Sequence, residues 1–409
     1  MVTPTWLFAR ASEHLRMLCV DIPTRQVGSA GNRAATAFFA ERAASFGFEV
    51  ASPPFDCMDW REDGADLTVA GESFDVRVSP YSLAGRAAAP LAVVSSLAEL
   101  ETAHLAGRVV LLRGAIAAEQ LMPKNFPFYN PDEHKRIIGL LEKARPHAIV
   151  AATARNPQMA GAVYPFPLFE DGDFDIPSVY LTDEAGDRLA AHAGEEARLE
   201  IRASRLPATG CNVIARKGAG FDPRVVLFAH IDAKEGSPGA IDNAAGVAVL
   251  LLLAELLADY AGRLGMEIVA MNGEDYYSNP GELHYLAANA DRFGEISLGI
   301  NLDGLGYHRG QSAYSLYGCP DALAARIRRT FAAYGGLMEG EPWYQSDHFL
   351  FIMHERPALA ITSEHVAEIL AEIAHSPHDR PEVVDPARLA EVALGLRELL
   401  IDMGQSIRL

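Results

Sequence analysis

Residues 266–277 read M-E-I-V-A-M-N-G-E-D-Y-Y: an apolar run of strand length that ends in two adjacent carboxylates, Glu274 and Asp275. An apolar run of this length bounded by Asn-Gly suits a buried strand. Neighbouring carboxylates repel unless something positive lies beside them, so the stretch raises a question of charge as well as of fold. Working outward, the same pattern recurs. Val225–Ala229 runs into His230-Ile231-Asp232, and Ile296–Leu302 runs into Asp303. Strands are expected at 225–229, 266–271, 296–302 and 357–362, and helices at 243–259, 320–334 and 386–403. Alternating strands and helices predict an α/β fold with a mixed, mostly parallel central sheet flanked by helices. Sheets of this kind carry their sites at the carboxyl ends of their strands, where these polar residues fall.

At 409 residues the chain exceeds what one core usually holds, so two domains are expected. Before the regular part, Ala35, Phe38, Phe39 and Ala43 recur at helical spacing, and Gly47 is placed to end that helix. From about 58 to 206 the texture changes to short β-like runs (91–94, 109–112, 148–150, 178–181) between short helices and proline-rich loops. Within it, 122–134 and 157–175 have no clean periodicity and receive no element.

A net charge of −19 argues against nucleic acid or an anionic membrane as partner. The four cysteines, Cys19, Cys57, Cys211 and Cys319, form no C-x-x-C pair, which suits a reduced compartment and argues against a thiolate zinc site. The first residues lack a basic start followed by a sustained apolar segment. The longest apolar run, Val247 to Ala254, is far too short to cross a bilayer. A cytoplasmic protein is the expectation, unless a leader precedes this chain.

A strand-end Asp is most often a cap or a surface group, and either Asp242 or Asn243 can cap the helix that follows them. Several such residues converging on one crevice are harder to explain as solvation. Oxygen and imidazole donors without sulfur suit divalent zinc, manganese or cobalt.

Six segments, A-H-I-D (229–232), G-A-I-D-N-A-A-G (239–246), N-G-E-D (272–275), N-L-D (301–303), S-D-H-F-L-F (346–351) and His375-Ser376-Pro377, resemble, in order, the co-catalytic zinc aminopeptidases of peptidase family M28. The resemblance implies the zinc aminopeptidase type of phosphorylase/hydrolase-like fold, two divalent metal ions per chain, zinc first with manganese or cobalt as alternatives, and hydrolysis of N-terminal peptide bonds. It also implies roles. Asp242 bridges the two ions, His230 and Asp303 complete one site, and Asp275 and His375 complete the other. Glu274 is the general base, and Asp232 orients His230. The family more often has a second glutamate where Asp275 stands. Consecutive side chains point in different directions, so Glu274 and Asp275 are expected to divide the work of proton carrier and ligand.

Tyr276, Tyr277 and Tyr344 are candidate substrate-binding residues, with core packing as the bland alternative; Asp347 and His348 are read as structural, and His365 and His378 as loop residues without a ligand role. L-A-G-R-V-V-L-L-R-G (105–114), R-P-H-A-I-V-A-A (145–152) and D-I-P-S-V-Y-L-T-D-E-A-G (175–186) resemble a protease-associated (PA) domain. The expected organisation is therefore a catalytic domain of 1–57 and 207–409 with a mainly β PA-like domain, 58–206, inserted. Substrates are peptides or small amides. A carboxypeptidase, dipeptidase or amidohydrolase on the same site, or a non-catalytic binding protein, remains the alternative, and the oligomeric state stays open, homo-oligomer included.

Overall fold

The computed structural model describes residues 5–156 and 160–406. The chain divides into two compact units, one of Met1–Cys57, Thr209–Ile369 and Ile373–Leu409, the other of Met58–Ala208 with Leu370–Glu372.

The first unit is built on an eight-stranded sheet. Its strands are β1 (Glu49–Ala51), β2 (Val213–Lys217), β3 (Gly220–His230), β4 (Leu264–Met271), β5 (Ile296–Leu302), β6 (Ser312–Tyr317), β7 (Leu337–Glu339) and β8 (Ala358–Ser363). They lie side by side as β1-β2-β4-β3-β5-β8-β6-β7. β4, β3, β5 and β8 run parallel at the centre, while β2 and β6 pair antiparallel on either flank. The centre is buried on both faces: Val225 to Ala229 have no exposure, and every residue of β4 is buried. Mostly apolar runs, rather than alternation, suit a doubly covered parallel strand; the charge inside β4, Glu267, is buried but paired with Arg216 Nε at 2.8 Å and accepts from Tyr285 Oη at 2.7 Å.

The helix Ala245–Leu256 is apolar all round, and residues 245–254 are buried without exception, which a helix with no polar face demands. It begins two residues later than expected because Asp242 and Asn243 have non-helical backbone angles. The helices Asp321–Phe331 and Pro386–Ser406 and the strand β8 fall within a few residues of their expected positions. The helix Ala30–Ser45 buries Ala35, Phe39 and Ala43 and leaves Phe38 half-buried. Its end is set by Gly47, whose φ of +75° lies in the left-handed region.

The second unit holds another eight-stranded sheet. Gly85–Val94, Val109–Leu112, Ala148–Thr153 and Ser178–Thr182 pair in parallel in that order. They pack with the helix Asp132–Ala144 over a core that includes Val110, Leu141, Phe166 and Phe174. Two long strands, Pro54–Val69 and Glu196–Cys211, were not legible in the sequence, because their exposed and buried positions do not alternate cleanly. Of the two unassigned stretches, 122–131 carries no helix or strand while 132–134 begins the helix Asp132–Ala144. In the second stretch, 157–159 lie outside the described residues and 160–175 carry no helix or strand. Among the described residues, no helix is long and apolar enough to cross a membrane.

Candidate metal centre

Three parallel strands deliver the site. His230 is the last residue of β3, Asn272–Asp275 follows β4, and Asp303 follows β5. His375 comes from the loop after the helix Val366–Glu372. All five residues expected as metal ligands, His230, Asp242, Asp275, Asp303 and His375, converge here.

Asp242 stands between the two histidines. Its Oδ1 lies 3.0 Å from His230 Nε2 and its Oδ2 lies 3.1 Å from His375 Nε2. Around His230 Nε2, Asp303 Oδ1 is at 3.5 Å and Glu274 Oε2 at 3.9 Å. Around His375 Nε2, Asp275 Oδ1 is at 3.2 Å. Two of the resulting groups, His230–Asp242–Asp303 and Asp242–Asp275–His375, share Asp242, and a third joins His230 with Glu274 and Asp275; each could hold a metal ion. Neither ring nitrogen of His230 makes a hydrogen bond, nor does Asp275 Oδ2, though all three atoms are buried. Buried polar atoms left without hydrogen-bond partners are costly, and atoms converging this way fit coordination to a cation.

The electrostatics agree. Burial works against the charge of Asp242, yet the His230 and His375 imidazoles hold it well below the usual carboxylate range. Burial also opposes protonation of both imidazoles, but Glu274, Asp242 and Asp303 push His230 upward, as Asp275 and Asp242 push His375. Glu274 is pushed well up by burial and by the carboxylates of Asp275, Asp303 and Asp347, against the opposing pull of His230. Behind it, Asp347 is pushed up to about 7 by burial, with Asp303 and Asp232 adding to the rise. So many buried carboxylates in one place call for cationic charge.

Local structure explains how the backbone presents these groups. Asn243, not Asp242, caps the following helix: its Oδ1 accepts the Gly246 N–H at 3.0 Å and its Nδ2 donates to Leu302 O at 2.7 Å. Asp242 is thereby free to face the site. Gly246 is required there, since a Cβ would sit 2.4 Å from Asn243 Oδ1 and 2.5 Å from Leu302 O. Asp232 accepts the N–H groups of Gly273 at 2.7 Å and Asp275 at 3.0 Å. Its Oδ1 is 3.8 Å from His230 Nδ1, too long for a hydrogen bond, so the carboxylate shapes the 273–275 loop more directly than it fixes the imidazole. His375 holds φ at +60°, a strained conformation for a residue other than glycine.

The tyrosines divide. Tyr276 and Tyr277 are buried with ring centroids 4.5 Å apart, whereas Tyr344 is 61% exposed and lies edge-on to Tyr317. Asp347 and His348 are both buried, and His348 Nε2 donates to Trp343 O at 2.7 Å. His365 precedes the helix Val366–Glu372, and His378 is exposed in its loop. Sequence reasoning missed Arg25, Asn32 and Asp379. Asp379 is buried and accepts the N–H groups of Ile241 at 2.6 Å and Asp242 at 3.1 Å. Burial, with Asp242 close by, pushes its carboxyl up to about 7. Its one sequence signal was its place four residues after His375.

Residues 212–400 match the model of peptidase family M28. The segment belongs to that family. Among curated proteins, the chain is 25% identical to the "Probable lipoprotein aminopeptidase LpqL" of Mycobacterium tuberculosis, over 76% of this chain and 63% of that protein. It is 26% identical to the "Probable leucine aminopeptidase 2" of Aspergillus fumigatus, over 73% of this chain and 60% of that protein. The chain thus spans less than two thirds of either relative's length. Among solved structures, the zinc aminopeptidase from Bacillus subtilis superposes with a TM-score of 0.72 at 18% identity, covering 98% of this chain and 96% of that one. At that identity the likeness shows the fold, and it is the mixed, helix-flanked α/β fold of the zinc aminopeptidases. The M28 segment contains every residue placed in the cluster above.

Proposed function

We propose that the M28 segment is a two-metal aminopeptidase that hydrolyses the N-terminal peptide bond of peptides. The observation that carries the reading is Asp242, which presents one carboxylate oxygen to each of two histidines at 3.0 and 3.1 Å. His230 and Asp303 would hold one divalent ion and Asp275 and His375 the other, with Asp242 shared between them, zinc favoured and manganese or cobalt as alternatives for this donor set. When bound, such a pair of ions supplies Lewis acidity towards the scissile carbonyl and lowers the pKa of a water.

The chain's own residues do the rest. Glu274 Oε2, held 3.9 Å from His230 Nε2, takes the proton of the attacking water and returns it to the leaving amine. Asp232 keeps Glu274 and Asp275 pointing to their separate tasks by fixing the backbone of their loop. Of the three candidate tyrosines, Tyr344 is the one whose exposure leaves its ring accessible to substrate. The second unit is read as a PA-like domain inserted between the first helices and the catalytic strands.

Two curated relatives carry aminopeptidase in their names, which favours a free N-terminus over a blocked one. The test is hydrolysis of aminoacyl-p-nitroanilides beside N-blocked dipeptides and amino-acid amides by the metal-loaded protein. Cleavage confined to substrates with a free amine supports the reading. Cleavage of the N-blocked series alone would move the activity to a carboxypeptidase or amidohydrolase.

A further inference from the structure

Arg25 is fully buried and makes no ion pair among the described residues, yet all three of its guanidinium nitrogens donate hydrogen bonds. Its Nε donates to Ile231 O at 2.9 Å, Nη1 to Pro238 O at 2.9 Å and to Leu18 O, and Nη2 to Gly239 O at 2.7 Å. Ile231 directly follows His230, and Gly239 lies three residues before Asp242. One side chain therefore grips both ends of the loop that separates two of the proposed ligands. A buried guanidinium is expensive to desolvate, and a core with only packing to satisfy would not place one here.

The backbone of the same residue is tied to the other ligand loop. Asn32 Nδ2 donates to Arg25 O at 2.9 Å and to Asn272 Oδ1 at 2.8 Å, while Asn272 Nδ2 donates back to Asn32 Oδ1 at 3.0 Å. Asn272 immediately precedes Gly273-Glu274-Asp275. Asn32 and Asn272 are both wholly buried, so this reciprocal amide pair is shielded from water and has defined geometry.

Resting on the two-metal reading above, we infer that Arg25 and Asn32 are positioning residues that set the spacing between the Asp242 loop and the Glu274–Asp275 loop, and thereby the affinity of the site for its ions. Neither residue touches the ligand atoms. Arg25 acts through the carbonyls of the 231–239 loop, and Asn32 acts through Asn272. Outer partners of this kind change metal affinity by about 10–100-fold when removed. The N-terminal segment thus belongs to the metal centre although it supplies no donor.

The test compares the wild-type chain with Asn32→Ala, Arg25→Lys and Phe39→Leu, each stripped of metal and titrated with Co2+, reading both affinity and the visible absorption of the bound ions. Phe39 is a fully buried residue of the same helix outside this network, so Phe39→Leu reports what a loss of packing alone does. Wild type and Phe39→Leu should bind alike, while Asn32→Ala and Arg25→Lys bind at least one ion about 10–100-fold more weakly with an altered spectrum. If Arg25→Lys does not fold, Asn32→Ala carries the comparison. Wild-type affinity and spectrum in the folded network variants, or an equal loss in Phe39→Leu, would overturn the inference while leaving the two-metal reading intact. A wild-type chain that takes up no Co2+ would overturn both.

Discussion

The carboxylate of Asp379 accepts the backbone N–H of Asp242 at 3.1 Å, while the side chain of Asp242 reaches towards both histidines of the site. One carboxylate, buried and without contact to any proposed ligand atom, fixes the peptide of the residue on which both ion positions depend. Asp379→Asn keeps the volume but presents an amide to two N–H donors. We expect weaker metal binding, by about 10–100-fold, with an unfolding free energy lower by about 1–3 kcal/mol. Chelator competition and urea unfolding check the two effects separately.

Glu274→Gln should leave the ligand set complete and remove the proton carrier. The expected outcome is unchanged metal content with kcat reduced by about a hundred- to ten-thousand-fold. Near-normal turnover in this variant would show that another group moves the proton.

Gly246→Ala brings a Cβ against Asn243 Oδ1 and Leu302 O, both within 2.5 Å. Neither can retreat, since they bond each other through Asn243 Nδ2. Overpacking of this kind costs about 1–3 kcal/mol, read as a fall in urea midpoint. Gly294→Ala, where a Cβ meets nothing within 4 Å, is the matched control and should stay within about 0.5 kcal/mol of wild type.

His14 gives stability a pH dependence unrelated to the metal centre. It is wholly buried, neither ring nitrogen has a hydrogen-bond partner, and burial, helped by Arg42 and Arg10 against Glu13, pushes its pKa down to about 4. The folded pKa lies below the unfolded value of about 6.5, so between the two the unfolded chain binds the proton and the folded one does not. Stability from this group is therefore full above about pH 6.5 and is lost as pH falls towards 4. The loss is about 2–3 kcal/mol by pH 4.5. His14→Leu should remove that part of the acid sensitivity, measured as the difference in unfolding free energy between pH 7 and pH 4.5.

The parallel strands and the polar residues at their ends were legible because a strand buried on both faces is mostly apolar, which makes a cluster of polar residues directly after it conspicuous. His230, Asp275 and Asp303 stood out on that signal, and their ligand roles came from the resemblance to the M28 family. The long strands Pro54–Val69 and Glu196–Cys211 gave none, as charged and apolar residues mix along them. Arg25, Asn32 and Asp379 were invisible for a different reason. They bond to backbone groups of loops distant in sequence, and a carbonyl or N–H carries no residue identity for a pattern to match. Asn243 and Asp242 show the limit at single-residue scale: both are good caps, and only the fold decides that Asn243 takes that task and leaves Asp242 to the site.

The proposed role of Asp242, serving two ions at once, is measured most directly by metal content per chain. After removal of metal and reconstitution with Zn2+, the wild-type chain should hold about two ions. Asp242→Asn should hold fewer, and activity on an aminoacyl-p-nitroanilide should vanish with chelation and return with Zn2+. A reconstituted wild-type chain that holds one ion or none, or an active one whose rate is indifferent to chelation, would contradict that role.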